Sequence, residues 1–441
     1  MNYYLINHKK MLYRVVLVFL IIFEAHAQSV LTIDEAIKTG LEKNYAVQIV
    51  RNNQAIAKAQ NNLGNAGMSP TVSLNAGINL ANQNTHLEFN TGAIQDKAGA
   101  QSNNVSASIN AGWIIFDGLK MFAVKKRLVL NEDYSSLQLK QQMENTINEI
   151  VASYYDVVRI SELIKSAKQN LSIYEERLKI AQLKYDIGSD SKVDVMLSQI
   201  ETNKVKSSIL QLEVQLLNSK SKLNTLLNQS VDTEFNVTDS ITINYQPNLD
   251  ELKKNLISSN TSLLASKQME LISQQSIKEV RANNLPFIQL NAAYNFTRAQ
   301  SQTGILLLNQ QLGLNTGLTA SWLIFNGNKN NKLMKERNLM YLNQKYATDQ
   351  MKLQIDAMVY NSYQTYLRNK QIVELEKRNL ADSKDLLTVS LERYKIGKSN
   401  LLETIETQKN LEDAQVRFIQ ALYNMKLAET DLLKSNGLLI K

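Results

Sequence analysis

The chain says the same thing twice, with the same internal spacing. Its only two tryptophans open near-identical phrases, Trp113-Ile-Ile-Phe-Asp-Gly118 and Trp322-Leu-Ile-Phe-Asn-Gly327. Seventy residues past each glycine stands a second matched phrase, Tyr185-Asp-Ile-Gly188 and Tyr394-Lys-Ile-Gly397. Both landmarks are offset by 209 residues, so no net insertion separates them. Ser69-Pro70 and Leu285-Pro286, like Asp34-Glu35 and Asp250-Glu251, match at an offset of 216. A long internal repeat fixes architecture before any other signal. It predicts two equivalent halves, residues 28–229 and 250–441, joined by an irregular linker at 230–249.

Residues 1–27 read as an export signal. Lys9, Lys10 and Arg14 form a basic segment, Val15 to Phe23 an apolar one, and Ala25-His26-Ala27 a small-residue cleavage site. No later stretch reaches the roughly 18 uninterrupted apolar residues of a spanning helix. The chain has no cysteine, which removes disulfides and a lipidated N-terminal cysteine. Its net charge of +8 becomes +6 without the leader, spread with no basic cluster, so nucleic-acid binding has little support. Of three histidines, His8 and His26 leave with the signal, and His86 stands alone in a polar stretch. No Cys-His, His-His or Ser-His constellation and no Gly-rich phosphate loop can be built. The expectation is a non-enzyme with no cofactor and no metal.

Breakers mark where the elements end. Gly188 is the only glycine between Gly118 and Gly304, and Gly397 the only one between Gly327 and Gly437. Such stretches favour very long helices. Ile147, Ile150, Tyr154, Val157, Ile164, Leu171, Leu178 and Tyr185 recur at three, four or seven residues, a coiled-coil-like period near 3.5. Helices are expected at 33–66, 118–186 and 190–229, then at 250–283, 327–395 and 399–436, with antiparallel hairpin turns at 188 and 397. Asp250, after Pro247-Asn-Leu, is placed near a helix cap.

Between short and long helices the period switches to two. Val72, Leu74, Ala76, Ile78 and Leu80 alternate with polar residues, and Val105, Ala107, Ile109, Ala111, Trp113 and Ile115 do so on the return. The same holds for Ile288, Leu290, Ala292, Tyr294 and Phe296, then for Leu312 through Ile324. These runs of about 10 to 13 residues suit tilted transmembrane strands in hairpins 70–116 and 286–325. One face is apolar and the other Asn, Ser, Thr and Gly, as for lipid outside and water inside. A single such run is better read as an ordinary half-buried hairpin of a soluble sheet; four runs in two symmetric pairs, with polar loops at one end and tryptophans at the other, reverse that preference. Four strands cannot close a barrel, and open edges are not tolerated in lipid, so the chain must oligomerise. Three copies would give twelve strands.

At this point the residues resemble the TolC-like outer membrane efflux protein family. The resemblance spans nearly the whole chain after the leader. It rests on the duplicated helix–strand–strand–long-hairpin plan, the Trp-x-Ile-Phe-x-Gly junctions and the Tyr-x-Ile-Gly turns. It implies an α+β membrane fold in which duplicated long antiparallel α-helical hairpins form a periplasmic tunnel. Four transmembrane β-strands per chain would join a homotrimeric 12-stranded barrel in outer membrane lipid. The implied partners are a periplasmic adaptor and, indirectly, an inner-membrane transporter of RND or ABC type.

The resemblance also assigns sites. Glu403 and Glu406, an i,i+3 pair on one helix face, would ring the periplasmic entrance with six carboxylates in a trimer; a solvated helix face is the plainer account. Asp194 and Tyr394 would form a gate latch, although Tyr394 equally suits the end of a helical core. A second latch arginine would fall near Ser399, which cannot play that part. Ile187, Gly188, Ser189, Ile396, Gly397 and Lys398 would be adaptor-docking tips, or plain hairpin chemistry. Trp113, Phe116, Trp322 and Phe325 suit an aromatic belt at the membrane interface, with core packing the alternative. The function implied is a passive exit duct for efflux or type I secretion. The rival of another class is a trimeric coiled-coil adhesive or structural surface protein.

Overall fold

In the computed structural model, residues 30–189, 191–238, 240–243 and 245–440 are described. The leader read at 1–27 lies outside them. The element order repeats. Strand β1 (Val30–Leu31) precedes helices α1 (Ile33–Lys43) and α2 (Tyr45–Gln60), strands β2 (Thr71–Glu88) and β3 (Ile94–Phe116), and helices α3 (Lys120–Asp186) and α4 (Lys192–Leu226). The second round is β4 (Asn236–Val237), α5 (Leu249–Ser259), α6 (Thr261–Ala282), β5 (Phe287–Ser301), β6 (Leu308–Ser321), α7 (Lys329–Lys395) and α8 (Leu401–Ser435). The helices α3 and α7 have 67 residues each, and α4 and α8 have 35 each. No helix among the described residues is long and apolar enough to cross a membrane.

The single helices expected at 33–66 and 250–283 are each two. Asn44 stands in extended backbone between α1 and α2, and its Oδ1 accepts from Ala46 N at 2.9 Å. Asn260, 216 positions on, does the same between α5 and α6, accepting from Leu263 N at 2.9 Å. A short amide side chain offers the backbone a cap instead of another helical turn. Apolar periodicity runs straight through such a break, so periodicity alone does not register it.

Two compact units form. One holds the chain up to Gln48, Met143–Lys254 and Met358–Lys441; the other holds Ile49–Gln142 and Asn255–Ala357. In the first unit, β1 pairs in parallel with β4. Around that pair sits a core of Ala36, Ile147, Ile150, Tyr154, Val158, Leu223, Leu227 and Phe235. The α3–α4 hairpin is antiparallel: Asp156 meets Ser219, Lys168 meets Glu213 and Glu175 meets Lys206 in order along it. The buried stripe of α3 follows the expected row from Ile147 to Ile164, then turns to Tyr174, Arg177 and Ala181, leaving Tyr185 exposed in the single chain. A 3.6-residue helix drifts about 20° per heptad from a strict seven-residue row.

The second unit carries an antiparallel sheet of order β2-β3-β5-β6. Register puts Val72, Ala111, Ala292 and Thr316 in one row, and Leu74, Ile109, Tyr294 and Leu314 in the next row on the same face. The opposite face carries rows such as Ser73-Asn110-Ala293-Asn315 and Asn75-Ser108-Asn295-Gly313. The strands have 18, 23, 15 and 14 residues, longer than the apolar runs because pairing continues through the polar hairpin ends. A register shift between Ile114 and Phe116 brings Phe116 onto the face of Trp113. Strand β6 stops at Ser321, short of Trp322, because its partner strand begins only after Pro286, which has no N–H to give. Every residue of β6 is exposed, and β2 and β6 each keep one unpaired edge among the described residues.

The strand-to-helix junctions repeat as well. Trp113 Nε1 donates to Met68 O and Trp322 Nε1 to Asn284 O, both at 3.0 Å, and these acceptors are 216 positions apart. Asp117 caps α3 by accepting from Met121 N at 2.8 Å. The junction glycines differ in their surroundings. Both have positive φ, but a Cβ on Gly118 would lie 2.3 Å from Ala282 O and 2.8 Å from Leu285 Cβ, whereas one on Gly327 meets nothing within 4 Å. Gly327→Ala should therefore cost about 1–2 kcal/mol for left-handed backbone alone, and Gly118→Ala about twice that, because it also overlaps main chain. Denaturant unfolding in detergent measures both; equal losses would refute the close approach.

Candidate functional site: the paired helical turns

Both turns of the first unit end their long helices in the same motif. Gly188 and Gly397 have φ of +76° each. Ser189 N reaches Lys184 O and Lys398 N reaches Arg393 O, both at 2.9 Å, while Gly188 N and Gly397 N close the shorter loops onto Tyr185 O and Tyr394 O. This pair of bonds is a Schellman ending, which leaves the preceding isoleucine at the tip. Ile187 and Ile396 are accordingly 77% and 66% exposed. The tips meet around one cleft of about 630 Å³, lined by Ile187, Ser189, Asp194, Tyr394, Gly397 and Ser399 among others.

The two following helices start differently. Ser191 caps α4 in a capping box: its Oγ accepts from Asp194 N at 3.4 Å and donates to Asp194 Oδ2 at 3.1 Å. The Asp194 carboxylate is thus held at its own helix start. Asn400 caps α8, its Oδ1 accepting from Glu403 N at 2.9 Å. That leaves the Glu403 carboxylate to pair with Arg393 Nη1 at 3.3 Å, across the turn of the same hairpin. Glu406 is exposed and makes no ion pair among the described residues. Tyr394 is 2% exposed; Lys184 Nζ donates to its carbonyl at 3.2 Å and lies 3.9 Å from its ring centre. The cleft therefore gathers Asp194 and Tyr394, while Glu403 and Glu406 lie one and two turns into α8.

Deeper along the hairpins lies a cluster that periodicity did not reveal, because its central residue is a cation in an apolar row. Arg177 of α3 is 1% exposed, donates from Nη1 to Gln408 Oε1 of α8 at 2.8 Å and sits 4.6 Å from the Tyr174 ring centre. Glu412, one turn along α8 from Gln408, completes the group. Burial pushes its carboxyl above the ordinary 4.5; the Tyr174 hydroxyl and the Arg177 charge pull it down, and Asp413 and Glu201 add to the rise. Burial raises the Tyr174 hydroxyl and lowers the Arg177 guanidinium, in each case disfavouring the charged form.

The sign of the pH effect follows. A folded chain that holds the Glu412 proton more tightly than the unfolded chain gains stability below the ordinary value, and loses it as pH rises through the shifted one. Glu412→Gln should therefore raise the unfolding midpoint near neutral pH, with the advantage over the unsubstituted protein closing as pH falls below the ordinary glutamate range. Thermal unfolding at several pH values tests this; an advantage independent of pH would refute the buried carboxyl.

The belt residues belong to the other unit. Trp113 and Phe116 share the apolar face of the sheet end, Trp322 is tied to Asn284, and Phe325 is 74% exposed.

Comparisons with known proteins converge. A family model described as outer membrane efflux protein matches residues 36–229 and 252–438. The outer membrane efflux protein BepC of Brucella suis biovar 1 (strain 1330) is 20% identical over 339 residues, 75% of this chain and 72% of that protein. The Campylobacter jejuni CmeC outer membrane channel superposes with a TM-score of 0.78 at 14% identity, over 92% of this chain and 85% of that one. The open state of the Neisseria gonorrhoeae MtrE outer membrane channel gives 0.74 at 16% identity, over 92% and 89%.

Proposed function

Because the chain belongs to the outer membrane efflux protein family, we propose that it is the passive exit duct of a tripartite efflux or type I secretion system. The observation that carries this is the four-stranded sheet, with apolar rows on one face, amide and hydroxyl rows on the other, and two unpaired edges. In hydrocarbon each unpaired N–H or C=O costs several kcal/mol, so β2 of one copy pairs with β6 of the next until the ring closes. Three copies make a twelve-stranded barrel in the outer membrane, and the helical hairpins form a periplasmic tunnel. The belt of Trp113, Phe116, Trp322 and Phe325 sits at the periplasmic interface. A coiled-coil surface fibre would have no use for such a sheet.

The exposed tips Ile187-Gly188-Ser189 and Ile396-Gly397-Lys398 dock a periplasmic adaptor, which an inner-membrane transporter of RND or ABC type serves. The cleft shared by Asp194 and Tyr394 is the latch, and it opens when the hairpins part. Around the entrance, Glu406 carries the larger part of the cation field, because Arg393 already neutralises Glu403.

Chemical crosslinking of the detergent-purified protein should saturate at three copies; saturation at another number would overturn the twelve-strand count. In planar bilayers the protein should give a small cation-selective conductance blocked by trivalent cations. Glu406→Ala should relieve that block more than Glu403→Ala, and the double variant should abolish it. Block unchanged in the double variant would remove the entrance assignment and keep the duct.

A further inference from the structure

We propose that Arg298 is a phosphate contact for anionic lipid headgroups, placed where the apolar band of the sheet ends away from the tryptophans. The proposal rests on the barrel reading above. Across 71–80, 103–116, 287–300 and 308–321, Arg298 is the only charged residue. Alternation along β5 puts it on the face of Ile288, Leu290, Tyr294 and Phe296, the apolar one. Its cross-strand neighbours are Val105 and Gln310. The next row on that face reads Leu80, Asn103, Gln300 and Leu308. One guanidinium therefore stands where the apolar rows give way on β3 and β5, beside the exposed amides of Gln310, Gln300 and Asn103, while Leu80 and Leu308 in the next row and Ile305, Leu306 and Leu307 beyond it remain apolar and exposed.

Depth supports the assignment. Arg298 lies ten residues along β5 from Ile288, which pairs with Phe116 in the aromatic belt. Ten residues span about 33 Å of strand, or roughly 25 Å along the normal at a tilt near 40°. That is about the height of the lipid-facing band of an outer-membrane barrel. Arg298 thus reaches the headgroup level opposite the belt.

Charge points to the occupant. Arg298 makes no ion pair among the described residues, and the first carboxylate beyond Val105 on β3 is Asp96, nine residues or about 30 Å away. An exposed guanidinium at an apolar border extends its stem over the hydrocarbon and its head to the interface, where its fork matches a phosphate. Lipid phosphate is the anion that this depth supplies.

The test uses the purified protein with Arg298→Gln and Arg298→Lys, reconstituted in phosphatidylcholine vesicles containing phosphatidylglycerol. After mild re-extraction, native mass spectrometry counts the phosphatidylglycerol retained. The unsubstituted protein should retain it over phosphatidylcholine; Arg298→Gln should lose about fivefold in retention, and Arg298→Lys should keep most of it. Equal retention in all three, with all three inserted as judged by protease protection, would overturn the Arg298 assignment alone. Displacement of the lipid by inorganic phosphate would make this a general anion site and overturn the lipid assignment. Failure of every form to insert would remove the barrel reading, and this proposal with it.

Discussion

The hydrogen-bonding demand of a strand edge is the constraint on which everything else depends. Each chain satisfies its internal ladders, β2 to β3, β3 to β5 and β5 to β6, and then stops with two rows of backbone donors and acceptors unpaired. In water such edges are a hazard that proteins blunt with charges, prolines or bulges. Here β6 has no charged residue or proline. An edge left so open is ready to pair with another strand, and hydrocarbon does not tolerate it unpaired. Duplication then acquires a physical meaning. A single hairpin leaves two open edges for two strands; two hairpins joined β3 to β5 leave the same two edges for four.

The two halves agree where geometry is shared and differ where chemistry is. The Schellman endings at Gly188 and Gly397, the Asn44 and Asn260 breaks and the tryptophan N–H bonds recur almost unchanged. The caps that follow the turns do not. A serine cap lets the N3 acid return a bond, so Asp194 is spent on Ser191. An asparagine cap takes the N3 amide without needing that return, so Glu403 is released toward Arg393. One change of capping residue thus decides whether the carboxylate at the same repeat position returns a bond to its own cap or pairs with an arginine across the turn.

Much of this was legible in the residues because it depends on spacing. Equal offsets located the turns, and period-two alternation located all four strands. What spacing could not carry was any event that leaves the apolar rhythm intact. Asn44 and Asn260 interrupt helices without interrupting the stripe. The stripe of α3 rotates past Ile164 onto Tyr174, Arg177 and Ala181, and a rule that counts only apolar residues passes over an arginine at the centre of the row. The end of β6 was hidden for a different reason: Trp322 alternates correctly, but pairing depends on the opposite strand, where Pro286 has no donor to offer.

Charge is distributed unevenly between the sheet and the helical turns. The polar face of the sheet is built from amides, hydroxyls, alanine and glycine, and none of its rows between Ser73 and Gly77 contains an ionisable group. Neutral dipoles of this kind can orient toward cations and anions alike. Around the turns, by contrast, Arg393, Lys184, Asp194, Glu403 and Glu406 crowd a short length of chain. Fixed charge is therefore concentrated around the turns and absent from those sheet rows. The buried polar pair Arg177 and Gln408 joins the two helical hairpins by a contact that is costly to leave unpaired.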